Sequence, residues 1–198
     1  LVTVCGGTLV NVPRGKDFSL DIAAARKAVT PRSRVAFVAS PNNPTGGIAT
    51  AAEVRALLEL GLVVAVDEAY YEFSSSTVAG LVPENPNLIV LRTFSKWAGL
   101  AGLRVGYCLC HEKLAGHFLT IKQPYNVNVA GEAAAIASLQ DVDYLRSNVG
   151  KLRQERERML GALAAIPWLE VCPSQANFVL CRVIGLRPGG QKMTAKAV

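Results

Sequence analysis

The sequence predicts an α/β fold, a three-layer α/β/α arrangement around a mainly parallel sheet. Short apolar runs alternate with amphipathic segments along the chain, and polar residues follow each apolar run at once. The runs are four to six residues long and largely β-branched or apolar, which is typical of strands buried on both faces of a sheet. We predict four such strands: Val35 to Ala39, Val63 to Val66, Leu88 to Leu91 and Val105 to Cys110.

An amphipathic helix is predicted between the first two strands, over Thr50 to Leu60. Thr50 and Glu53 form a Thr-x-x-Glu capping box, which satisfies two backbone amides at the start of the helix. Gly61 follows, where a left-handed C-terminal cap is favoured. The apolar face consists of Ala51, Val54, Leu57 and Leu58. Strand, helix and strand at this spacing form a right-handed crossover, so the strands should be parallel and ligands should bind beyond their carboxyl ends.

The character of the chain changes after Gly131. An Ala-rich helix is predicted over Glu132 to Leu139, and a longer one over Asp143 to Ile166, ended by Pro167. Two strands of a smaller unit follow, over Leu169 to Cys172 and Asn177 to Val183. We therefore predict a large domain over residues 1–128, with linking helices and an incomplete α+β small domain over residues 129–198.

Both ends of the sequence look cut. The chain begins in a β-like stretch, Leu1 to Cys5, and ends in a helix-like stretch, Gln191 to Val198. We expect a piece of a longer protein, with any targeting region outside this chain.

Composition excludes several classes of function. No apolar run approaches the roughly 20 residues of a membrane span, so no membrane partner is expected. The net charge is +6, but the densest charged segment, Lys151 to Arg158, alternates signs and is predicted to be a solvated helix face rather than a nucleic-acid surface. The five cysteines include no Cys-x-x-Cys, which argues against a metal site and favours reduced, buried thiols. A reducing compartment follows, either cytoplasm or organelle stroma.

Polar residues with chemical capability follow the predicted strands: Pro41 to Gly46, Asp67 to Tyr70, and Thr93 to Lys96. Each segment has a plain structural explanation, as a turn, a helix cap or a chance dipeptide. Together they place a carboxylate, a tyrosine, a lysine and, with Arg104, an arginine on the same edge of one sheet.

The order and context of these segments resemble the fold type I aminotransferases, which use pyridoxal 5′-phosphate (PLP), and within them the histidinol-phosphate aminotransferases most of all. The resemblance covers nearly all of residues 1 to 183. It is carried by Ser40 to Gly46, Val66 to Tyr70, Arg92 to Lys96 with Leu100 to Tyr107, Pro124 to Val127, and Ser174 to Phe178.

The resemblance implies a catalytic role for three residues. Lys96 would bind PLP covalently and then move the substrate Cα proton. Asp67 would face the pyridine nitrogen and keep the ring protonated. Tyr70, together with Asn43, would donate hydrogen bonds to the phenolate oxygen of the cofactor.

The remaining assignments concern the phosphate and the substrate. The resemblance implies that Thr93, Ser95 and Arg104 bind the cofactor phosphate, Arg104 through two oxygens at once. Tyr125 and Asn177 correspond to positions near the substrate, although an aromatic packing role is the alternative for Tyr125. For Arg92 the alternative to a site role is an ion pair with a neighbouring carboxylate.

The function implied is transamination between histidinol phosphate and 2-oxoglutarate, with small-molecule partners only and a homodimer as the full-length form. An aromatic amino-acid aminotransferase and a lyase like the threonine-phosphate decarboxylases stay open, as does a non-catalytic piece that only folds or dimerises. A helix start that binds the cofactor phosphate and an arginine for the substrate carboxylate are expected outside this chain.

Overall fold

The computed structural model describes residues 2–74 and 76–184. Within these ranges the chain forms α-helices, strands and short 3₁₀ helices. The α-helices are α1 (Ile22–Ala28), α2 (Ala51–Leu58), α3 (Glu112–Ile121), α4 (Val129–Gln140) and α5 (Val142–Ala164). The strands are β1 (Val35–Ala39), β2 (Val63–Asp67), β3 (Leu88–Thr93), β4 (Gly106–Cys110), β5 (Leu169–Val171) and β6 (Cys181–Val183). The 3₁₀ helices cover Tyr71–Phe73, Ala79–Glu84 and Ala101–Leu103.

The main sheet has the strand order β1-β2-β3-β4. β1 pairs with β2, and β2 with β3, in parallel, whereas β4 runs antiparallel to β3. Val38, Val66 and Val90 are neighbours across the three parallel strands. β5 and β6 form a separate antiparallel pair. The predicted α/β fold with a mainly parallel sheet is confirmed; the division at residue 128 stays a prediction.

Helix α2 forms for the reasons that its sequence indicates. The Glu53 carboxylate accepts a hydrogen bond from the Thr50 amide at 2.7 Å, and the Thr50 hydroxyl accepts one from the Glu53 amide at 3.2 Å, so the capping box is confirmed. Gly61 has a φ of +73°, as a left-handed cap requires. The regular helix ends earlier than predicted, at Leu58, because the last turn tightens toward that glycine.

The core lies between the sheet and the helices α1 and α2. One face of the strands contributes Val38, Val64, Val66, Leu88 and Val90, and these pack against Val54, Leu57 and Leu58 of α2. Each fully buried Val or Leu side chain contributes roughly 1.5–3 kcal/mol to folding relative to an exposed one. The polar residues at the strand ends therefore follow strands whose apolar side chains are tightly packed against α2.

The prediction that all four strands are buried on both faces is wrong for β1 and β4. Val38 of β1 is 7% exposed, but Phe37, which points to the opposite face, is 69% exposed. In β4 the side chains of Tyr107 and Cys108 are also exposed. Apolar composition marks these segments as strands but does not say which face a helix covers, because valine and phenylalanine suit either face.

Other local predictions need correction. Val2 to Gly6 form a turn instead of a strand, and the strand expected from Asn177 is regular only over Cys181–Val183. Cys5 and Cys108 are exposed thiols, not buried ones. The helix expected over Gln191 to Val198 lies outside the described residues. None of the helices in the described ranges is both long enough and apolar enough to cross a bilayer.

Candidate active site

Loops at the carboxyl ends of three adjacent parallel strands come together at one edge of the sheet. The pairing continues past the strands: the Ser40 amide donates to the Asp67 carbonyl at 2.9 Å, and the Glu68 amide donates to the Leu91 carbonyl at 2.8 Å. The loop after β1, the end of β2 and the loop after β3 are therefore fixed side by side, as expected for a ligand site in a parallel sheet.

The loop after β1 is a closed turn that carries Asn43. The Gly46 amide donates to the Asn42 carbonyl at 2.7 Å. Gly46 has a φ of +75°, and a Cβ built there would lie 2.6 Å from Ser174 Cβ, so both conformation and space require glycine. The exposed Asn43 side chain reaches the next strand end, where its Nδ2 donates to the Tyr70 hydroxyl at 3.1 Å.

Tyr70 is the centre of the group. Its ring meets the edge of the Phe178 ring at 5.1 Å between centroids and an interplanar angle of 90°, a favourable aromatic geometry. Lys96 Nζ lies 5.4 Å from the centre of the Tyr70 ring, within the range of a cation–π contact. Asn43, Tyr70 and Lys96, each from a different strand end, are thus brought together.

Asp67 is the last residue of β2 and its side chain is exposed. Its Oδ1 accepts a hydrogen bond from the Ala69 amide at 3.0 Å, which fixes the carboxylate at the strand end and leaves Oδ2 available. Successive residues of a strand point to opposite faces, so the side chains of Asp67 and the buried Glu68 point away from each other.

The predicted phosphate-binding residues lie around the β3–β4 connection. The Thr93 and Ser95 hydroxyls are 2.8 Å apart, and the Ser95 amide donates to Thr93 Oγ1 at 3.0 Å. Thr93 pairs with Gly106 across the two strands, which brings Arg104 back beside this turn. Arg104 is exposed, has a left-handed backbone (φ 58°, ψ 42°), and donates to the Ala101 carbonyl at 2.9 Å.

The two predicted substrate residues are placed differently. Asn177 is exposed and lies directly before Phe178, in the loop that contacts Tyr70. Tyr125 lies between α3 and α4 with 92% of its surface exposed, so it makes almost no contact with the described residues. The structure does not bring Tyr125 into the group formed by Asn43, Tyr70 and Lys96.

A buried polar cluster lies behind this edge. The Glu68 side chain is 2% exposed and accepts hydrogen bonds from Thr77, the Val78 amide and Arg92, the last at 2.8 Å. The ion-pair interpretation of Arg92 is confirmed. Burial lowers the pKa of Arg92, but hydrogen bonds to Glu68 and Tyr107 and the Glu68 charge outweigh it and leave the pKa raised.

Glu72 borders the same cluster and has an altered acidity. Burial raises its pKa to about 7, against the opposing effect of Arg92 and with a further contribution from the Glu68 charge. Its Oε2 is buried, and no group among residues 2–74 and 76–184 donates a hydrogen bond to it. The charge of Glu72 therefore changes near neutral pH.

Two residues that pack or form hydrogen bonds near this edge, Phe178 and Arg156, were not singled out from the sequence. Phe178 packs against Tyr70, yet aromatic residues of such loops look alike in sequence. Arg156 is buried, with a side chain 6% exposed, so the prediction that Lys151 to Arg158 is a solvated face is wrong at this residue. The signal was its spacing: Arg156 follows the buried Val149 by two helical turns, and the two lie on the same face.

Comparisons with known proteins find histidinol-phosphate aminotransferases among the proteins similar to this chain. The curated histidinol-phosphate aminotransferase of Roseiflexus castenholzii is 51% identical over 179 residues, which are 90% of this chain and 48% of the relative. The crystal structure of histidinol-phosphate aminotransferase from Sinorhizobium meliloti in complex with pyridoxal-5′-phosphate matches with a TM-score of 0.78 and 35% identity, over 89% of this chain and 49% of that one. The enzyme of that name from Clostridium acetobutylicum gives a TM-score of 0.85 at 25% identity, over 96% and 59% of the two chains.

The chain spans about half the length of the curated relatives that it matches. The family model described as aminotransferase class I and II covers residues 1–196. Since that match extends over nearly the whole sequence, the chain belongs to the class I and II aminotransferase family.

Proposed function

We propose that this chain carries the cofactor-binding core of a PLP-dependent aminotransferase that acts on histidinol phosphate. The amino group would pass to 2-oxoglutarate, giving imidazole acetol phosphate and glutamate, a step of histidine biosynthesis. The observation that carries the proposal is the convergence of Asn43, Tyr70 and Lys96 from three strand ends. The names of the relatives, which are 44–51% identical, support the choice of substrate.

The residues at this edge fit PLP chemically. The group offers an exposed amine, an exposed carboxylate, a phenol hydrogen-bonded to an amide, an exposed guanidinium, and two hydroxyls that contact each other. These match, in turn, an aldehyde, a pyridine nitrogen, a phenolate oxygen and, for the guanidinium and the hydroxyls together, a phosphate. Bound PLP supplies the electron sink that stabilises a carbanion at the substrate Cα.

Lys96 is the base in this proposal. Its Nζ is exposed and carried on the loop after β3, next to the Tyr70 ring. From there its amine would take the proton from the substrate Cα and later give a proton back, acting first as a base and then as an acid. A positioned general base contributes about 10²- to 10⁴-fold to a rate.

Asp67, Tyr70 and Asn43 would orient the cofactor and set its charge. The Asp67 carboxylate would keep a proton on the pyridine nitrogen. The Tyr70 hydroxyl accepts the hydrogen bond from Asn43 and so has its own proton free to donate to the phenolate oxygen. Stabilising the phenolate lowers the pH at which the bound chromophore loses its proton.

Thr93, Ser95 and Arg104 would bind the phosphate. The two hydroxyls are already held together at 2.8 Å, and the guanidinium can donate to two phosphate oxygens at once. Tyr125 and Asn177 stay proposals for the substrate side, Asn177 on its position beside Phe178.

The experiment is an absorbance spectrum of the natural gene product mixed with PLP, beside its Lys96→Ala variant. We expect a band from the lysine-bound cofactor in the wild type that Lys96→Ala abolishes, with kcat reduced about 10³-fold or more. The Lys151→Ala variant, which removes an exposed lysine on α5, is the matched control and should keep the band.

Substrates then separate the alternatives. Histidinol phosphate should shift the band and form glutamate once 2-oxoglutarate is added. Carbon dioxide release would identify a decarboxylating lyase instead, and a preference for phenylalanine would identify an aromatic aminotransferase. A wild type that shows no band would contradict the proposal and favour the alternative hypothesis of a non-catalytic piece.

We also propose a homodimer. Large apolar side chains are exposed over α3, α4 and the segment between them: Phe118, Leu119, Ile121, Tyr125, Val127, Val129, Ile136 and Leu139. Exposed apolar area of this kind favours association. Sedimentation velocity of the natural gene product should give the mass of two chains, and a monomer at micromolar concentration would contradict it.

A further inference from the structure

Arg156 donates hydrogen bonds to backbone carbonyls of two separate loops. The residue lies on α5, and its Nη1 donates to the Phe73 carbonyl at 2.9 Å and to the Ala176 carbonyl at 3.1 Å. The rest of the guanidinium is bound by Glu157, whose Oε1 accepts from Nη2 at 2.8 Å. A buried guanidinium is stable only when its donors are satisfied, so these contacts define where the two loops must lie.

Each of the two carbonyls lies in a turn or loop that also carries one member of an aromatic pair, Tyr70 or Phe178. Phe73 follows Tyr70 in a tight turn, closed by the Phe73 amide donating to the Tyr70 carbonyl at 3.1 Å. Ala176 precedes Phe178 in a loop closed by Ser174, whose hydroxyl donates to the Phe178 carbonyl at 2.6 Å. The rings of Tyr70 and Phe178 meet edge to face. Arg156 thus binds the two turns that carry these rings.

The loop with Phe178 also contacts the loop with Asn43. The Gln175 amide donates to the Gly46 carbonyl at 2.8 Å, and Ser174 packs against Gly46. One loop therefore contacts both Tyr70 and the turn that carries Asn43, the two sides of the hydrogen bond between Asn43 and the Tyr70 hydroxyl. A shift of this loop would change the position of the Tyr70 phenol relative to Lys96 and Asn43.

We propose that Arg156 is a positioning residue for Tyr70. It holds the turn at Phe73 and the loop at Ala176, and through the Phe178 ring it keeps the Tyr70 hydroxyl in place to donate to the cofactor phenolate. The inference rests on the proposed function, because it assigns Arg156 an effect on a PLP-bound site. Arg156 touches neither cofactor nor substrate, so its effect passes through Tyr70.

The expected signature is a change in the bound chromophore. Removing the guanidinium leaves the Phe73 and Ala176 carbonyls buried without their donor and frees the Tyr70 ring to move. A weaker hydrogen bond to the phenolate raises the pH midpoint of the chromophore, by about half to one pH unit. We expect kcat to fall by about 10-fold, with a smaller change in KM for 2-oxoglutarate.

The test is a pH titration of the absorbance band of the PLP-loaded natural gene product. Arg156→Met should raise the midpoint, and Arg156→Lys, which restores one donor group, should return it part of the way. Arg158→Met is the matched control: Arg158 is on the same helix, exposed, and paired with Glu155 at 2.7 Å. This variant should titrate like the wild type.

A double-mutant cycle separates positioning from general loosening of the fold. In a Tyr70→Phe background, Arg156→Met should shift the midpoint by less than half of its effect in the wild type, because the group through which it acts is gone. An equal shift in both backgrounds overturns the proposal, as does an Arg156→Met variant that titrates like Arg158→Met.

Phe178→Leu provides a second line if Arg156→Met fails to fold. It loosens the aromatic pair and leaves the Arg156 contacts in place, so it should raise the midpoint in the same direction; an unchanged midpoint contradicts the proposal. A wild type without a PLP band contradicts the proposed function itself, and the inference with it. A wild-type band with unmoved midpoints contradicts the inference alone.

Discussion

Asp67 and Glu68 are adjacent carboxylates with opposite environments. Asp67 is exposed at the end of β2, where one oxygen accepts a backbone amide. Glu68 is buried and surrounded by donors from Thr77, Val78 and Arg92. The first belongs to the strand-end edge with Asn43, Tyr70 and Lys96, and the second to the polar cluster behind it.

The two environments separate side chains that are available for chemistry from side chains that stabilise the fold. At the strand-end edge, donors and acceptors are left available, so a bound group can use them. In the polar cluster, Glu68, Thr77 and Arg92 bind one another, and the loss of one leaves the others buried and unpaired. Mutations at the edge should therefore change the reaction, whereas mutations in the cluster should change the fold.

Between these two carboxylates, the largest expected effect is on the reaction, from Asp67→Asn. The amide keeps an oxygen for the Ala69 amide but cannot hold the pyridine proton by its charge, so kcat should fall about 10²- to 10³-fold. The free energy of unfolding should stay within about 0.5 kcal/mol, as for other exposed sites. Steady-state kinetics and urea unfolding check both, with Asp143→Asn as the exposed control.

Wild-type turnover in the Asp67→Asn variant would contradict the proposed role of Asp67 in the reaction. A large loss of stability in the same variant would erase the distinction between the edge and the cluster.

The polar cluster is tested by Glu68→Gln. Removing the carboxylate leaves the Arg92 charge buried without its partner, and the free energy of unfolding should fall by about 3 kcal/mol. The matched control is Glu170→Gln, which breaks an exposed pair with Arg182 at 2.7 Å and should change it by less than about 1 kcal/mol. Equal losses from the two variants, measured by urea unfolding, would contradict the view that burial makes the difference.

A smaller effect is expected from Glu72 and depends on pH. Its pKa is raised from 4.5 to about 7 in the folded protein, so the folded state retains a proton that the unfolded state releases. That contribution to stability is complete below pH ~4.5 and is lost as pH rises through ~7. Because the side chain is partly exposed, we expect a loss of about 2 kcal/mol rather than the full value of the shift.

Urea unfolding at several pH values should show this decline in the wild type and not in Glu72→Gln. Glu112→Gln, an exposed change at the start of α3, should keep the wild-type profile. If Glu72→Gln declined as steeply as the wild type between pH 5 and 7, another group would be responsible.

The fold and the strand-end edge were accessible from the sequence because both depend on local patterns. Apolar runs fix strands, and residues that follow parallel strands meet at one edge. Hence the neighbourhood of Asn43, Tyr70 and Lys96 could be predicted, including the turn at Gly46. The capping box at Thr50 was equally local and is equally confirmed.

The contacts of Arg156 and Phe178 could not be predicted in this way. Both depend on how distant segments dock, and the spacing of Arg156 from Val149 places it on the buried face of the helix without saying which carbonyls it binds. The same holds for the exposed Phe37: composition identifies a strand but not which of its faces another layer covers. The predicted role of Tyr125 depended on resemblance alone, and its exposed position adds nothing to it.

The contact between Gly46 and Ser174 has a consequence for the order in which the site can form. During synthesis, every residue of the strand-end edge up to Arg104 leaves the ribosome well before Phe178. Closing a loop of this length is entropically expensive and comes late in folding. The nascent chain therefore passes through a stage in which Lys96 and Asp67 are present while Tyr70 lacks its aromatic partner.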